Sequence, residues 1–303
     1  MLNKVEQLAA QFKALVDPVR MRLVALCQQG ECSVSELTQV VALSQPRVSQ
    51  HLKQLCDAAI LERFRDGQWV FYRVPVRSGD AATRSRLLDL IPDDDVVFQN
   101  DLAQLQELRG ERVASSGVDF STERSGDRAL HKALLDLTMT TPVGDLLDIG
   151  CGRGRILKLL ASKAHRAVGV DIDFDACRLA RAELMLAGLS NCNLRRGNMY
   201  RLPFDDAEFD TIILDDVLAD AKHPVRVLNE ASRLLRLGGR LFVFLYIKRR
   251  SPIELQSQLA QWSATAGLRL TPAKITPKNG PQWLLSVATS LDRQRVPRPE
   301  GSD

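Results

Sequence analysis

A short apolar run that leads into a glycine-rich turn constrains the fold of this chain more than any other feature. Asp145–Ile149 reads as a buried strand, and it is followed by Gly150-Cys151-Gly152-Arg153-Gly154 and a helical stretch, Ile156–Ser162. This order lets a ligand approach the backbone at the carboxyl end of a sheet. Strands and helices alternate from about residue 126 onward, which predicts a doubly wound, mostly parallel sheet.

The acidic residue after the next strand narrows the kind of ligand. The strand Arg166–Val170 leads to Asp171, about 20 residues beyond the first glycine, where a carboxylate can bind ribose hydroxyls. A dinucleotide site would need a glycine where Arg155 stands, so NAD is disfavoured. The turn and the acid together indicate a ribose-containing ligand without a clear pyrophosphate cradle.

The first 75 or so residues follow a different pattern, of short helices and then a hairpin. Asp17-Pro18 starts one helix, Ser33 and Glu36 form a capping box for another, and Ser44 is expected to cap the next. That last helix has an apolar stripe formed by Val48, Leu52 and Leu55. Its opposite edge is polar and suits base edges in a major groove; it carries Arg47, Gln50 and Gln54, with Lys53 at the flank.

A basic hairpin follows this helix. Leu61–Phe64 and Trp69–Val74 flank Asp66-Gly67, a dipeptide that favours a tight turn between strands. Arg63, Arg65 and Arg73 make the hairpin basic, and residues 44–77 carry six Lys/Arg against three Asp/Glu. This local excess suits contact with phosphates, although the net charge of the whole chain is only +4.

Residues 5–76 resemble the ArsR-type winged helix-turn-helix repressors. The resemblance is carried by Phe12-Lys13-Ala14-Leu15, Asp17-Pro18-Val19-Arg20, Ser44–Leu55 and Gly67–Arg73. It implies a homodimer that binds a palindromic operator in double-stranded DNA. Bases would be contacted by Gln45, Arg47, Ser49 and Gln50; the DNA backbone would be contacted by Lys53 and by the hairpin arginines Arg63, Arg65 and Arg73.

The metal site of this family is not expected here. Metal-sensing members carry Cys-Val-Cys where this chain has Ser33-Val34-Ser35, and serine cannot replace a soft thiolate pair. Cys32 alone is a weak ligand set, and no cysteine lies between Cys56 and Cys151. We therefore predict no metal.

Residues 145–246 resemble class I methyltransferases that use S-adenosylmethionine (SAM), of the subgroup that acts on small molecules. Besides the glycine turn, the motifs are Gly197-Asn198-Met199, Leu202-Pro203-Phe204, Phe209–Leu218 and Leu237-Gly238-Gly239. The predicted fold class is therefore α/β: an N-terminal winged helix-turn-helix domain and a C-terminal Rossmann-like domain. SAM, or its product S-adenosylhomocysteine (SAH), is the implied cofactor.

The resemblance also implies a role for each motif residue. Gly150, Gly152 and Gly154 would surround the methionine moiety, and Asp148 would orient the loop or the amino group. Asp171 would bind the ribose. Asn198 stands where the family more often has Asp near the adenine amine, and the Met199 backbone would face the adenine ring. Asp215 would lie beside the methyl donor.

Catalysis is not assigned by the sequence. Methyl transfer from a sulfonium needs positioning and, for some acceptors, a base, for which the candidates are Asp215, Asp216 and His223. The segment Leu214-Asp215-Asp216-Val217 lacks a target-base motif such as Asn-Pro-Pro-Tyr, which disfavours methylation of nucleic-acid bases.

The sequence also predicts the bounds of the domains and the cellular compartment. We predict a winged-helix domain (1–78), a helical linker or dimerisation region (79–125) with helices over Ala81–Ile91 and Gln99–Val113, a SAM-binding domain (126–291) and a disordered tail (292–303). The six scattered cysteines are typical of reduced thiols in the cytoplasm. We find no signal-peptide pattern and no apolar run of membrane-spanning length.

Two functions remain open. The first is a transcriptional regulator, a repressor, whose methyltransferase-like domain senses SAM or SAH. The second is an active SAM-dependent small-molecule methyltransferase with an autoregulatory DNA-binding domain. Fold and cofactor alone do not distinguish them.

Overall fold

A computed structural model describes residues 4–66, 69–75, 81–92, 94–115, 127–139, 141–247, 251–277 and 282–290. The turn residues Gly67 and Gln68 and the tail 292–303 lie outside the described residues. Among the residues that are described, no helix combines the length and the hydropathy that crossing a membrane requires.

The helices of the described residues are, in chain order, α1 Lys4–Leu15, α2 Pro18–Gln28, α3 Val34–Val41, α4 Gln45–Asp57, α5 Ala81–Leu88, α6 Val96–Ser115, α7 Asp127–Met139, α8 Arg155–Leu160, α9 Phe174–Leu186, α10 Val217–Asp220, α11 Pro224–Leu234 and α12 Pro252–Thr265. The strands are β1 Cys32–Ser33, β2 Glu62–Asp66, β3 Trp69–Arg73, β4 Gly144–Ile149, β5 Ala164–Asp171, β6 Cys192–Arg196, β7 Phe209–Asp215, β8 Leu235–Ile247, β9 Leu268–Leu270, β10 Lys274–Thr276 and β11 Gln282–Ser290.

Contacts divide the chain into two compact units. The first unit comprises residues 1–119, 152–158 and 173–196, and the second comprises 120–151, 159–172 and 197–303. Helix α9 and strand β6 thus belong to the same compact unit as α1–α6. The domain bounds drawn from the sequence, with a separate region over 79–125, stay a prediction.

The helices of the first unit begin where the capping pattern predicts. The side chain of Asp17 accepts a hydrogen bond from the backbone N–H of Arg20, and Pro18 occupies the first turn of α2. Ser33 and Glu36 form the reciprocal capping box of α3. Ser44 holds the capping position of α4 but makes no side-chain capping bond, so that part of the expectation is wrong.

Helix α4 has a buried apolar face and an exposed polar face, as the sequence predicted. Val48, Leu52 and Leu55 are fully buried, and the core around them also receives α2, α3 and the inner face of β3. Strands β2 and β3 form an antiparallel hairpin in which Phe64 lies opposite Phe71, and β1 adds to the other side of β3. This arrangement is a winged helix-turn-helix, as predicted.

Helices α5 and α6 also belong to the first unit. Helix α5 ends three residues earlier than predicted, at Leu88, whereas α6 is longer and runs from Val96 to Ser115. Arg22 of α2 pairs with Asp101 of α6, with Nε and Oδ2 2.7 Å apart. Helix α6 is thus a packed part of this unit.

The second unit contains a mostly parallel sheet. Its strands are ordered β10-β11-β8-β7-β4-β5, with β9 paired to β11. Strands β8, β7, β4 and β5 are parallel, and β11 is antiparallel to β8. Buried Leu, Ile, Val and Phe side chains on these strands form the core with α11 and α12. The predicted Rossmann-like class is confirmed.

Candidate functional site

The carboxyl ends of three parallel strands bring several predicted ligand residues to one edge of the sheet. Ile149 of β4 lies opposite Val170 of β5 and Leu214 of β7. Gly150, Asp171 and Asp215 each come one residue later, so they lie at the same level. In open α/β sheets ligands bind outside this edge.

The glycine turn at this edge requires glycine for two different reasons. Gly150 has a φ of +75°, and a Cβ built there would lie 2.4 Å from Cγ2 of Val217. Gly152 has a φ of +51°, and its Cβ would meet none of the described atoms within 4 Å. The first glycine therefore allows close packing, and the second leaves open space beside the backbone, which a bound ligand can use.

Backbone hydrogen bonds fix the turn against the neighbouring strand. The N–H groups of Gly150 and Cys151 both donate to the carbonyl of Val170, at 2.7 and 3.1 Å. Asp148, the penultimate residue of β4, is buried. Gly154 also has a positive φ, of +73°. All three predicted glycines thus adopt the left-handed backbone that a tight turn needs.

Asp171 and the segment around Asn198 are held together. The N–H of Gly197 donates to the carbonyl of Asp171 at 2.9 Å, which brings Asn198 to the same sheet edge. The Asn198 side-chain oxygen accepts a hydrogen bond from the N–H of Tyr200 at 3.1 Å. That oxygen is therefore engaged within its own turn, and the adenine role of Asn198 and Met199 stays a prediction.

The loop after β7 has a constrained backbone. Asp216 has a φ of +61°, an uncommon conformation for a residue with a side chain, although Asp adopts it more readily than most residues. Its side chain makes no capping bond to α10; instead Oδ1 accepts from the N–H of Tyr246 at 3.0 Å. Asp216 therefore holds the loop to β8, and Asp215 ends β7 at the sheet edge.

His223 lies beside an aromatic residue that the sequence did not single out. The rings of His223 and Tyr200 meet edge to face, with centroids 6.0 Å apart. The guanidinium of Arg226 lies 5.4 Å from the centre of the Tyr200 ring, at cation–π distance. His223 is exposed and precedes Pro224 at the start of α11. The three side chains form a small polar and aromatic cluster after the Asn198 turn.

A second candidate surface lies in the first unit, on α4 and the hairpin. One groove of about 570 Å³ is lined by Gln45, Ser49 and Lys53 of α4 together with Arg63 of β2. Arg47 and Gln50 are exposed on α4, and Arg65 is exposed on β2. Seven of the eight residues that were predicted to contact DNA are thus at least partly accessible on two adjacent elements, which suits a base-reading helix and a phosphate-binding wing.

Arg73 does not belong to that surface. It is only 6% exposed, and it pairs with Glu31 at 2.9 Å and with Glu62. The expectation that it contacts the DNA backbone is therefore wrong. The physical reason is the position of the strands: β3 is the central strand, and Phe71, Tyr72 and Arg73 are all buried there, so Arg73 needs carboxylate partners. Arg63 lies on the edge strand β2 and is exposed.

The serines that replace the thiolate pair have structural roles. Ser33 Oγ accepts from the N–H of Glu36 and lies 3.1 Å from Ser35 Oγ. A hydrogen bond to Cys32 and burial raise the pKa of the Cys27 thiol, and burial raises that of Cys56 to about 11. Within the described residues, no group of three His, Cys, Asp or Glu side chains is placed to hold a metal.

Arsenite and zinc are therefore expected to leave operator binding unchanged at low micromolar concentrations. Thiolates are the ligands that capture arsenite, and the pKa values of Cys27 and Cys56 are raised. The hydrogen bond with Cys27 lowers the pKa of Cys32, but one buried thiolate does not supply the pair of soft ligands that arsenite needs. A gel-shift titration of the protein–operator complex with arsenite and, separately, with zinc checks this. Release of the DNA by arsenite or by zinc would show that the remaining cysteines form a sensor.

Replacing Gly150 with alanine is expected to lower the free energy of unfolding by about 1–3 kcal/mol, because a left-handed backbone and a crowded Cβ are both unfavourable. Gly152→Ala is the matched comparison, since its Cβ enters open space and only the backbone cost remains. Urea unfolding of both variants measures the difference. Equal stability losses would contradict the close approach of Val217 to the turn.

The fold and these two surfaces define a winged-helix protein of the DNA-binding type that carries a methyltransferase-type domain. The family model of the bacterial arsR regulatory proteins matches residues 17–63, and that of a methyltransferase domain matches residues 147–243. The chain belongs to the arsR family through its N-terminal part and contains a methyltransferase domain after it.

Curated relatives match either part. The arsenic resistance transcriptional regulator ArsR1 of Pseudomonas putida is 50% identical over 64 residues, which is 21% of this chain and 50% of that protein. The arsenical resistance operon repressor of Bacillus subtilis is 38% identical over 73 residues, 24% of this chain and 67% of that protein. The 24-methylenesterol C-methyltransferase 2 of Oryza sativa is 29% identical over 175 residues, 56% of this chain and 47% of that protein. The chain thus spans about half the length of the first and third of these relatives.

The residues at the sheet edge fit SAM. Open space beside Gly152 leaves room for a ligand at the backbone, and Asp171, at the end of β5, carries a carboxylate, a group that accepts hydrogen bonds from hydroxyls. A dinucleotide-binding turn has a glycine at the position that Arg155 occupies here. The turn is therefore consistent with a ligand that has no pyrophosphate.

Proposed function

We propose that this protein is a DNA-binding transcriptional repressor that binds SAM or SAH in its methyltransferase domain and so senses methyl-cycle metabolites. The observation that carries the proposal is the presence, in one chain, of an arsR-family domain with an exposed polar helix and of a methyltransferase domain. A ligand that favours one state of a DNA-binding protein changes operator affinity by linkage.

The proposed DNA complex is that of a homodimer on a palindromic operator. Helix α4 would enter the major groove, with Gln45, Arg47, Ser49 and Gln50 at the bases. Lys53, Arg63 and Arg65 would contact phosphates and fix the register. Because the partner is an operator, we propose that the protein acts in the cytoplasm.

The proposed ligand complex uses the sheet edge. Asp171 would accept hydrogen bonds from both ribose hydroxyls, and Gly150, Gly152 and Gly154 would admit the methionine moiety with Asp148 behind them. Asn198 and Met199 would border the adenine, and Asp215 would lie by the sulfur. Bound SAM would supply a methyl group on a sulfonium; SAH would lack it.

The test is operator binding at fixed salt, titrated separately with SAM and with SAH. We expect one of the two to change operator affinity about tenfold or more, which corresponds to about 1.4 kcal/mol of coupling. The DNA probe is the region upstream of the protein's own coding sequence. Unchanged affinity with both ligands at saturation would contradict the sensor proposal.

The second candidate is an active small-molecule methyltransferase with an autoregulatory DNA-binding domain. It is favoured by the cluster of Tyr200, His223 and Arg226, whose aromatic, basic and cationic groups could orient an acceptor. Its test is the conversion of labelled SAM into a methylated product in a metabolite extract. We expect this conversion to depend on His223 if His223 serves as the base, and a His223→Ala variant with full turnover would exclude that role.

A further inference from the structure

Glu31 is a buried carboxylate that three different elements of the first unit hold in place. It is 1% exposed, and it precedes β1. Its Oε1 accepts from Arg73 at the end of β3, at 2.9 Å, and its Oε2 accepts from Nε of Arg181 on α9, at 2.6 Å. The backbone N–H of Leu194 on β6 also donates to Oε2, at 3.3 Å. One side chain therefore joins the wing to α9 and β6.

Two further contacts strengthen the same connection. Arg73 donates to Oδ1 of Asn193 on β6 at 2.8 Å, so the wing strand also bonds β6 directly. The guanidinium of Arg181 lies 4.1 Å from the centre of the Phe71 ring on β3. All of these residues belong to the first compact unit. The wing is thus attached to α9 and β6 through charged groups as well as through packing.

The hydrogen bonds of this buried charged network form only within a narrow range of relative positions of its groups. Glu31, Arg73 and Arg181 are each less than a tenth exposed, so bulk water does not fully compensate for a lost partner. Charge-assisted hydrogen bonds at 2.6–2.9 Å are strong only in one relative placement of the groups. A displacement of α9 must therefore either move the wing with it or break bonds that are costly to leave unmade.

Two of the three elements that hold Glu31, α9 and β6, are covalently continuous with predicted ligand residues. Helix α9 begins at Phe174, and its N-cap Asp173 follows Asp171 by two residues. Strand β6 ends at Arg196, two residues before Asn198. Any adjustment of the Asp171 or Asn198 loops on ligand binding therefore acts at the ends of α9 and β6.

Glu31 is also connected to the helix-turn-helix itself. Arg109 of α6 donates to the carbonyl of Glu31 at 2.9 Å and pairs with Glu36 at 2.9 Å. Glu36 is also the capping-box partner of Ser33 at the start of α3. The position of Glu31 is thus tied to the helix that precedes α4 as well as to the wing.

We propose that Glu31, with Arg73, Arg181 and Asn193, is the coupling network that transmits occupancy of the ligand site to the DNA-binding wing. This inference rests on the proposed function, because it assigns a route to the regulation proposed there. Glu31 acts as a positioning residue: it contacts neither the DNA nor the ligand and sets the wing relative to α9 and β6.

The test compares Glu31→Gln and Asn193→Ala with the wild-type protein and with Glu62→Gln as a matched control. Glutamine keeps the shape of Glu31 but removes its charge between two guanidinium groups. Glu62 pairs with the same Arg73 from within the hairpin. For each protein, operator affinity is measured with and without saturating SAM and SAH, and SAM affinity is measured by calorimetry.

We expect the ligand-dependent change in operator affinity to fall from tenfold or more to less than threefold in Glu31→Gln and Asn193→Ala. Glu62→Gln should keep the wild-type factor, and SAM affinity should stay within threefold in all variants. Hydrogen exchange at the amides of residues 69–73 should respond to SAM in the wild-type protein and not in Glu31→Gln.

The outcomes separate this proposal from the proposed function. A wild-type protein with no coupling between ligand and operator would overturn both. Coupling that persists unchanged in Asn193→Ala, and in Glu31→Gln where that variant folds, would overturn the network alone. An equal loss of coupling in Glu62→Gln would also overturn it, since any disturbance of the hairpin would then suffice.

Discussion

Asp171→Ala is expected to lower the affinity for SAM by more than a hundredfold. Asp171 ends β5, level with Gly150, and its backbone carbonyl accepts from Gly197. A carboxylate that accepts from both ribose hydroxyls makes two charge-assisted hydrogen bonds, each contributing about 1.5–3 kcal/mol. Their loss corresponds to at least a hundredfold in the dissociation constant, which isothermal calorimetry measures directly.

The control for this prediction is Asp175→Ala. Asp175 lies in the first turn of α9, and its side chain is 75% exposed beside Arg178, so its removal takes the same charge from a nearby position without touching the sheet edge. We expect SAM affinity to change less than threefold in this variant. Unchanged calorimetric affinity in Asp171→Ala would show that another residue holds the ribose.

Arg47→Ala is expected to weaken operator binding at least tenfold while leaving SAM affinity unchanged. Arg47 is exposed near the start of α4, the part of a recognition helix that meets base edges. A bidentate arginine–guanine contact contributes about 1–3 kcal/mol, and a homodimer would lose two such contacts. A gel-shift or fluorescence-anisotropy titration at fixed salt measures the change.

Arg86→Ala is the matched control for Arg47. It removes an exposed arginine from α5, which is neither the proposed recognition helix nor part of the hairpin, and so corrects for the general effect of net charge on DNA affinity. We expect Arg86→Ala to change operator affinity less than threefold. Equal operator affinity in Arg47→Ala and the wild-type protein would mean that α4 is not the base-reading helix.

Local sequence patterns predicted the two folds because the relevant signals span only a few residues. Asp17 and Pro18 specify the start of α2, and Ser33 with Glu36 specifies α3, since each cap is a contact over three residues. The glycine turn after β4 was equally readable, because Gly150 and Gly152 adopt a backbone that other residues disfavour.

The parts that the sequence did not predict depend on distant residues. Arg73 has the sequence context of a wing arginine, but it bonds Glu31, which lies 42 residues earlier in the chain. Arg181 lies 150 residues from Glu31, and no periodicity joins them. Charge pairs of this kind are set by tertiary packing, so a basic residue in a strand cannot be assigned to the surface or the interior from composition alone.

The ligand site was predictable from the sequence only in part. The order of motifs predicted which loops would meet at the sheet edge, and the parallel strands bring Gly150, Asp171 and Asp215 to one level. The side-chain bonds of Asn198 and Asp216 were not predictable, because each is made to a backbone N–H in the folded loop. The ligand roles of these residues stay predictions.

In the proposed function, ligand binding and operator binding are linked, and linkage is reciprocal. The most direct test is therefore calorimetric titration of SAM and of SAH into the free protein and into its operator complex at the same salt concentration. We predict that one ligand binds about tenfold more tightly or more weakly when operator is bound, by the same factor with which it changes operator affinity. Equal affinities of both ligands for free and DNA-bound protein would contradict the account and would direct the search to a methyl acceptor.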